Sequence, residues 1–248
     1  MSWLVASSVR TDPAALREGE PALWRELRRY NAPVQLAVAA ANDVVAHAGR
    51  PAEAALISLA PCETGSPELH HWVRDIDAGT PGVRMNPTHT LHAVDNLALS
   101  VLSIRIGARG WALGLGGAAG QLWAALELVL ERPEPEVLVV AGDQRATAAT
   151  GVALLFAREP AGHVHRRDAA LAGVEPIRDS AVDTRRPTVR LLALERTRRA
   201  GRCEPHAADG AVALLAALEA QTAGRYFYRV PDAHGDGIDE LAIAWELA

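Results

Sequence analysis

Few residues of this chain are of the kinds that attack a substrate, move protons or hold metals, and their spacing limits what each can do. Cys62 follows a short apolar segment, with Glu63 beside it and His70-His71 a helix-turn later. A cysteine needs a neighbouring base to act as a nucleophile, and the plainer reading of a lone cysteine is a small buried hydrophobe. Cys203 lies among Arg199, Arg202 and Glu204, on an expected surface turn. His163 and His165 alternate as on a strand, but no third ligand has matching spacing for a metal. His70 and His71, adjacent on a helix, do not converge on one ligand. His206 precedes Ala-Ala-Asp-Gly-Ala and a helix, where a helix-starting polar residue suffices as an explanation. Gly114 to Gly120 is glycine-rich yet lacks the Lys-Ser/Thr of a phosphate loop and the spacing of a dinucleotide fingerprint. Close backbone packing accounts for it, and no cofactor or metal is expected.

The elements that would position any chemistry centre on Met85 to Gly142. Asn86-Pro87-Thr88 offers a helix start, since a proline's missing N–H costs nothing in a first turn. Leu91, Val94, Leu97, Ala98, Val101, Leu102 and Ile104 then recur at helical spacing until Gly107 to Gly110 stops them. A short apolar strand, Trp111 to Leu115, runs into Gly116-Gly117-Ala118-Ala119-Gly120, and a helix follows from Gln121 to about Leu130. Glu136 to Gly142 is a compact buried strand. A strand, a tight turn of small residues and an apolar helix is a setting that presents a nucleophile. The helix N-terminus lowers a thiol's pKa or stabilises an oxyanion. Here the apex carries no thiol, hydroxyl or carboxylate.

Asn96 followed by Leu-Ser-Ile-Arg-Ile-Gly, then Arg109-Gly110, an apolar strand and a small-residue turn, resembles the β-ketoacyl synthase pattern. In that family an Asn-containing helix leads through "SIRxGxxGP" to a "TAC" nucleophile turn. The match covers most of Pro33 to Glu159, and Trp111 stands where the family has proline. The closest likeness is to short, cysteine-less chain length factors of polyene-type synthases. The resemblance implies an α/β, thiolase-like (ketosynthase) fold with a shortened C-terminal half. The nucleophile-equivalent becomes Ala119, with Ala118 and Gln121 as neighbours. The helix from Asn86 to Arg105 would border the partner's acyl tunnel, with Leu91 and His92 at gating positions and Thr88 and Asp95 a turn to either side. Leu91 as ordinary core, with His92 and Asp95 on a wet face, is the bland alternative. The strand Trp111 to Leu115, with Leu113 at its centre and Trp123 near it, would pair across a dimer interface. His206 and the residues after it faintly resemble the family's "GHxxGAAG" histidine. The chain between the strands ending at Gly142 and starting at Gly151 is short where ketosynthases have a long excursion.

The whole chain fits one ketosynthase-like unit, 1–248. It divides into a thiolase-type half at 1–159, a linker rich in Arg, Asp, Gly and Pro at 160–187, and a reduced half at 188–248. Its 248 residues are 49% hydrophobic, enough for one large core. The net charge is −5, every cationic side chain other than histidine is arginine, and the acidic balance argues against nucleic-acid binding. Two distant cysteines and no apolar run of membrane-spanning length fit a soluble, cytoplasmic protein. Alternating helices and short apolar strands imply buried parallel strands. Strands are expected at Ser2 to Ser8 (edging the sheet), Ala54 to Ala60, Gly151 to Ala157, Thr188 to Leu194 and Ile238 to Leu247. Helices are expected at Pro13 to Arg29, Val34 to Gly49, Leu69 to Ile76 and His206 to Ala220.

The function implied is a non-catalytic chain length factor. It would pair with an active ketosynthase that extends a carrier-protein-bound fatty acyl, polyketide or polyene chain, and would shape the acyl tunnel. A stand-alone acyltransferase or hydrolase using Cys62 or His206 is one alternative. A module that binds an acyl chain or acyl carrier protein is another.

Overall fold

The computed structural model describes residues 2–48, 54–60, 67–82, 96–116, 120–145, 148–158, 189–199, 207–220, 223–231 and 238–247. Among the described residues, eight strands form one sheet. They are β1 (Ser2–Arg10), β2 (Ala55–Leu59), β3 (Ala112–Leu115), β4 (Glu136–Arg145), β5 (Ala148–Ala157), β6 (Val189–Arg199), β7 (Ala223–Pro231) and β8 (Ile238–Leu247). Seven helices accompany them among the described residues: α1 (Pro13–Gly19), α2 (Pro21–Leu27), α3 (Ala32–Ala48), α4 (Pro67–Asp77), α5 (Leu97–Ile106), α6 (Gln121–Glu131) and α7 (Ala207–Ala220).

The spatial order is β3-β2-β4-β5-β1-β6-β8-β7. Only β2, β3 and β4 run parallel; every other neighbouring pair is antiparallel, so the sheet is mixed rather than wholly parallel. β1 does not edge the sheet as expected. It lies between β5 and β6, and pairs Ser2 to Leu4 with Val189 to Leu191. Local sequence announces a strand, whereas its neighbours are set by segments far along the chain. The register Arg145↔Ala148 makes β4 and β5 a tight hairpin, in line with the short connection read from the sequence.

Strand alternation divides the core between the two faces. Leu56, Leu138, Val140, Ala153 and Leu155 pack with α1, α2, α3 and α5. Ile57, Val137, Val139, Leu154 and Phe156 pack with α6 and α7. Helix α3 is apolar nearly all round, and its Ala37 to Ala41 run has no exposed surface. It lies almost on the sheet backbone, above the cross-strand pair Gly142↔Gly151. A Cβ at Gly151 would stand 2.1 Å from the carbonyl carbon of Leu36, and one at Gly142 would stand 2.5 Å from the Pro33 carbonyl oxygen.

The single surface helix expected over Pro13 to Arg29 is two helices, because Pro21 restarts the chain at a new first turn. Between them, the Glu20 side chain turns inward to meet Arg10 Nη2 at 2.8 Å. Arg10 also donates to both Asp43 carboxylate oxygens, from Nε at 2.7 Å and Nη2 at 2.6 Å, and Ser8 Oγ donates to the same carboxylate at 2.7 Å. This knot ties β1 to α3 and to the α1–α2 corner. Burial pushes the Glu20 carboxyl pKa up, and the nearby Arg10 guanidinium only partly offsets it.

Candidate functional site

β2 and β3 end level with one another, beside Ala141 of β4, which continues to Arg145. Leu59 on β2 is opposite both Leu115 on β3 and Ala141 on β4. The carboxyl edge of parallel strands is where open α/β sheets place ligands, and two helix N-termini come to that edge here. Helix α6 arrives by chain connectivity, five residues after β3 ends. Its N-cap is Gly120 at φ +100°, a left-handed conformation that favours glycine. Gln121, the first helical residue, is buried, and Leu122, Ala125, Leu126 and Val129 drive the helix into the core with no exposed surface.

Helix α7 arrives through a tertiary contact that sequence reading missed. Asp143, one residue beyond the glycine that ends the apolar run of β4, is only 2% exposed. Its Oδ2 accepts a 2.7 Å hydrogen bond from the Ala208 backbone N–H in the first turn of α7. A carboxylate there takes up a helix-end donor that would otherwise lack an intrahelical partner, and it sits at the positive end of the helix dipole. The available signal was an acidic residue immediately after the apolar run of a strand. Asp143 thus places the chain's own carboxylate against the N-terminus of α7.

Of the residues singled out from sequence, Ala118, Ala119, Thr88, Leu91, His92 and Asp95 lie outside the described residues, as do Cys62, Cys203, His163, His165 and His206. His71 is exposed on α4. Leu113 and Leu115 are half-buried on β3, which forms one edge of the sheet. The Trp111 and Leu115 carbonyls accept from Leu56 and Ala60, each at 2.8 Å, so the alternate residues Ala112 and Gly114 direct their backbone groups outward. Trp111 is half-buried with the Arg132 guanidinium 4.1 Å over its ring. Trp123 is 8% exposed and packs in the chain's own core, so it offers a partner little surface. Helix α5 crosses above β3, where a Cβ on Gly114 would stand 2.8 Å from the Asn96 Cβ. Among the described residues, no group of three or more His, Cys, Asp or Glu is arranged to hold a metal ion. No described helix is long and apolar enough to cross a membrane.

A mixed sheet with helices on both faces is the α/β arrangement of the thiolase-type fold, and solved structures share it. The ishigamide ketosynthase/chain length factor aligns over 100% of this chain and 99% of its own, with a TM-score of 0.61 at 12% identity. A ketosynthase in complex with its chain length factor from Xenorhabdus doucetiae aligns over 90% of this chain and 80% of its own, at TM-score 0.52 and 14% identity. The tetronic acid condensing enzyme AbyA1 covers 99% of this chain and 100% of its own, at TM-score 0.50 and 14% identity. No protein-family model and no curated protein matches the chain. The chain is therefore ketosynthase-like in fold.

Proposed function

We propose that this chain is a non-catalytic, chain-length-factor-type subunit that pairs with an active β-ketoacyl synthase and shapes its acyl tunnel. The process served is fatty acid, polyketide or polyene synthesis. The observation that carries this reading is the amino-acid sequence of the connection between β3 and α6. Its residues, Gly116 to Gly120, include no thiol, hydroxyl or carboxylate, although the connection leads into a helix whose first residue, Gln121, is buried. A nucleophile at Ala119 would gain from that dipole; an alanine forms no acyl-enzyme, so the covalent step falls to the partner. Ala118 and Gln121 flank the emptied position.

Thr88, Leu91, His92 and Asp95 set the end of the tunnel as a steric ruler, because forcing a longer chain against a bulky wall costs about 1–3 kcal/mol. The outward backbone groups of β3 meet the partner, and an acyl carrier protein supplies the growing chain. The Xenorhabdus doucetiae complex, a ketosynthase with its chain length factor, supports a heterodimer as the working form.

Co-expression with a candidate ketosynthase tests the reading. A stable complex is expected, with synthase activity retained in the C62S/C203S double variant. Leu91→Ala or His92→Ala should lengthen the product. A well-folded chain that forms no complex, or activity lost in the folded double variant, would overturn it.

A further inference from the structure

Glu20 lies at the joint between α1 and α2. Its backbone N–H closes the last turn of α1 on the Leu16 carbonyl, and its own carbonyl accepts from Trp24 in the first turn of α2. Both helices are seven residues long, too short to persist without tertiary support. That support comes chiefly from α3, against which Leu16, Leu23 and Leu27 pack, and from the Glu20 side chain, which reaches Arg10 beneath the joint.

The cluster at that point has one cation for two carboxylates. Arg10 gives Asp43 two hydrogen bonds and Glu20 one, and Ser8 donates to Asp43 as well. The Glu20 and Asp43 side chains are only 7% and 2% exposed, so water does little to screen them from each other. Glu20 Oε2 is buried and has no hydrogen-bond partner. Arg105 of α5, whose charge also reaches Glu20, is already held by Glu26 of α2 and by Asn42 of α3. Arg17, Glu18 and Arg25 on the two short helices and His47 on α3 are exposed. A buried site with an unbalanced negative charge is relieved in one of two ways: Glu20 keeps a proton, or its side chain moves into water. Burial foremost raises the Glu20 pKa; Arg10 opposes the rise, and the Asp43 charge adds to it.

We infer that Glu20 is a proton-operated latch: losing its proton lets the α1–α2 corner lift from α3 as a local opening, while the sheet stays folded. The latch is closed below the unfolded carboxyl value, about 4.3, and releases as pH rises through the raised folded value. Release uncovers Leu16, Leu23 and Leu27. The inference does not depend on the role proposed for the β3–α6 connection.

Amide hydrogen exchange of the full chain between about pH 4 and about pH 8 tests it, with rates expressed as protection factors to remove their intrinsic pH dependence. The Glu20, Trp24 and Arg28 amides, which bond within the corner, should lose protection several-fold as pH rises. The midpoint should match the titration of the Glu20 carboxyl followed by carbon NMR, and amides of β4 should not follow it. In E20Q the corner should stay protected throughout. D43N, which leaves Arg10 to Glu20 alone, should move the midpoint to lower pH. If either variant unfolds, agreement of the two midpoints in the wild type decides. Protection independent of pH, loss spread equally over β4, or midpoints that disagree would overturn the inference. So would an unchanged pH dependence in folded E20Q or an unmoved midpoint in folded D43N.

Discussion

Asp143 ties the first turn of α7 to the sheet through a buried hydrogen bond from the Ala208 N–H. Asp143→Ala leaves the Ala208 N–H without this acceptor in a buried setting, which costs about 1–3 kcal/mol. Asp143→Asn retains an acceptor and should lose less; urea denaturation of both variants checks the order, and equal losses would refute the capping role. Glu20 offers a second test through pH. Its pKa in the folded chain is raised, chiefly by burial, so folding favours the protonated form. The resulting stabilisation is complete below the unfolded value, about 4.3, and is lost as pH rises through the raised folded value. Glu20→Gln removes that titration. The stability difference between Glu20→Gln and wild type should therefore shift in favour of the variant as pH rises across that window, and a pH-independent difference would contradict it. Neither residue was legible as important beforehand. An acidic side chain after an apolar run looks like the start of a wet loop, and the partners that bury these two are 65 and 10 residues away.

Among the elements, those with a continuous apolar run or helical stripe were legible. β8 has the expected bounds, and α3, α6 and α7 lie within a residue or two of theirs. β7 was not anticipated. At the sheet's edge, Arg225 and Phe227 are exposed with half-buried Tyr226 between them, and arginines flank the aromatic residues, so the stretch shows no apolar run. The division of α1 from α2 turns on Pro21, which interrupts an apolar pattern that otherwise reads straight through. The closest approach of two elements, α3 on the β4–β5 hairpin, depends on side chains being absent. Gly151→Ala puts a methyl group 2.1–2.4 Å from backbone atoms of Leu36 and Ala37, which cannot swing aside as a side-chain tip can. Overpacking of this kind costs about 1–3 kcal/mol or more. A markedly lower thermal midpoint is expected, and an unchanged one would mean that α3 shifts freely.

At the scale of the whole molecule, the sheet has two outer strands, β3 and β7, and the proposed heterodimer uses the first. Ala112 is exposed, and its backbone N–H points away from β2, so Ala112→Pro removes an outward donor while sparing the ladder to β2. The variant should fold as a monomer yet fail to co-purify with a ketosynthase; undiminished pairing would remove β3 from the interface. The fold class could be read from sequence because the Asn96-to-Gly142 pattern is local and dense in small residues. The ruler assigned to Leu91 and His92 rests on that resemblance, and the product-length measurement is its test.

The place of β1 in the middle of the sheet has a consequence for how the protein is made. Its first three residues pair with Val189 to Leu191, and Ser2 Oγ donates to the Val129 carbonyl at 3.0 Å. A ribosome must therefore synthesise the chain past Leu191 before β1 can gain its second neighbour. Until then the nascent chain exposes an apolar strand edge that invites mispairing, and holdase chaperones should have their longest engagement over that interval.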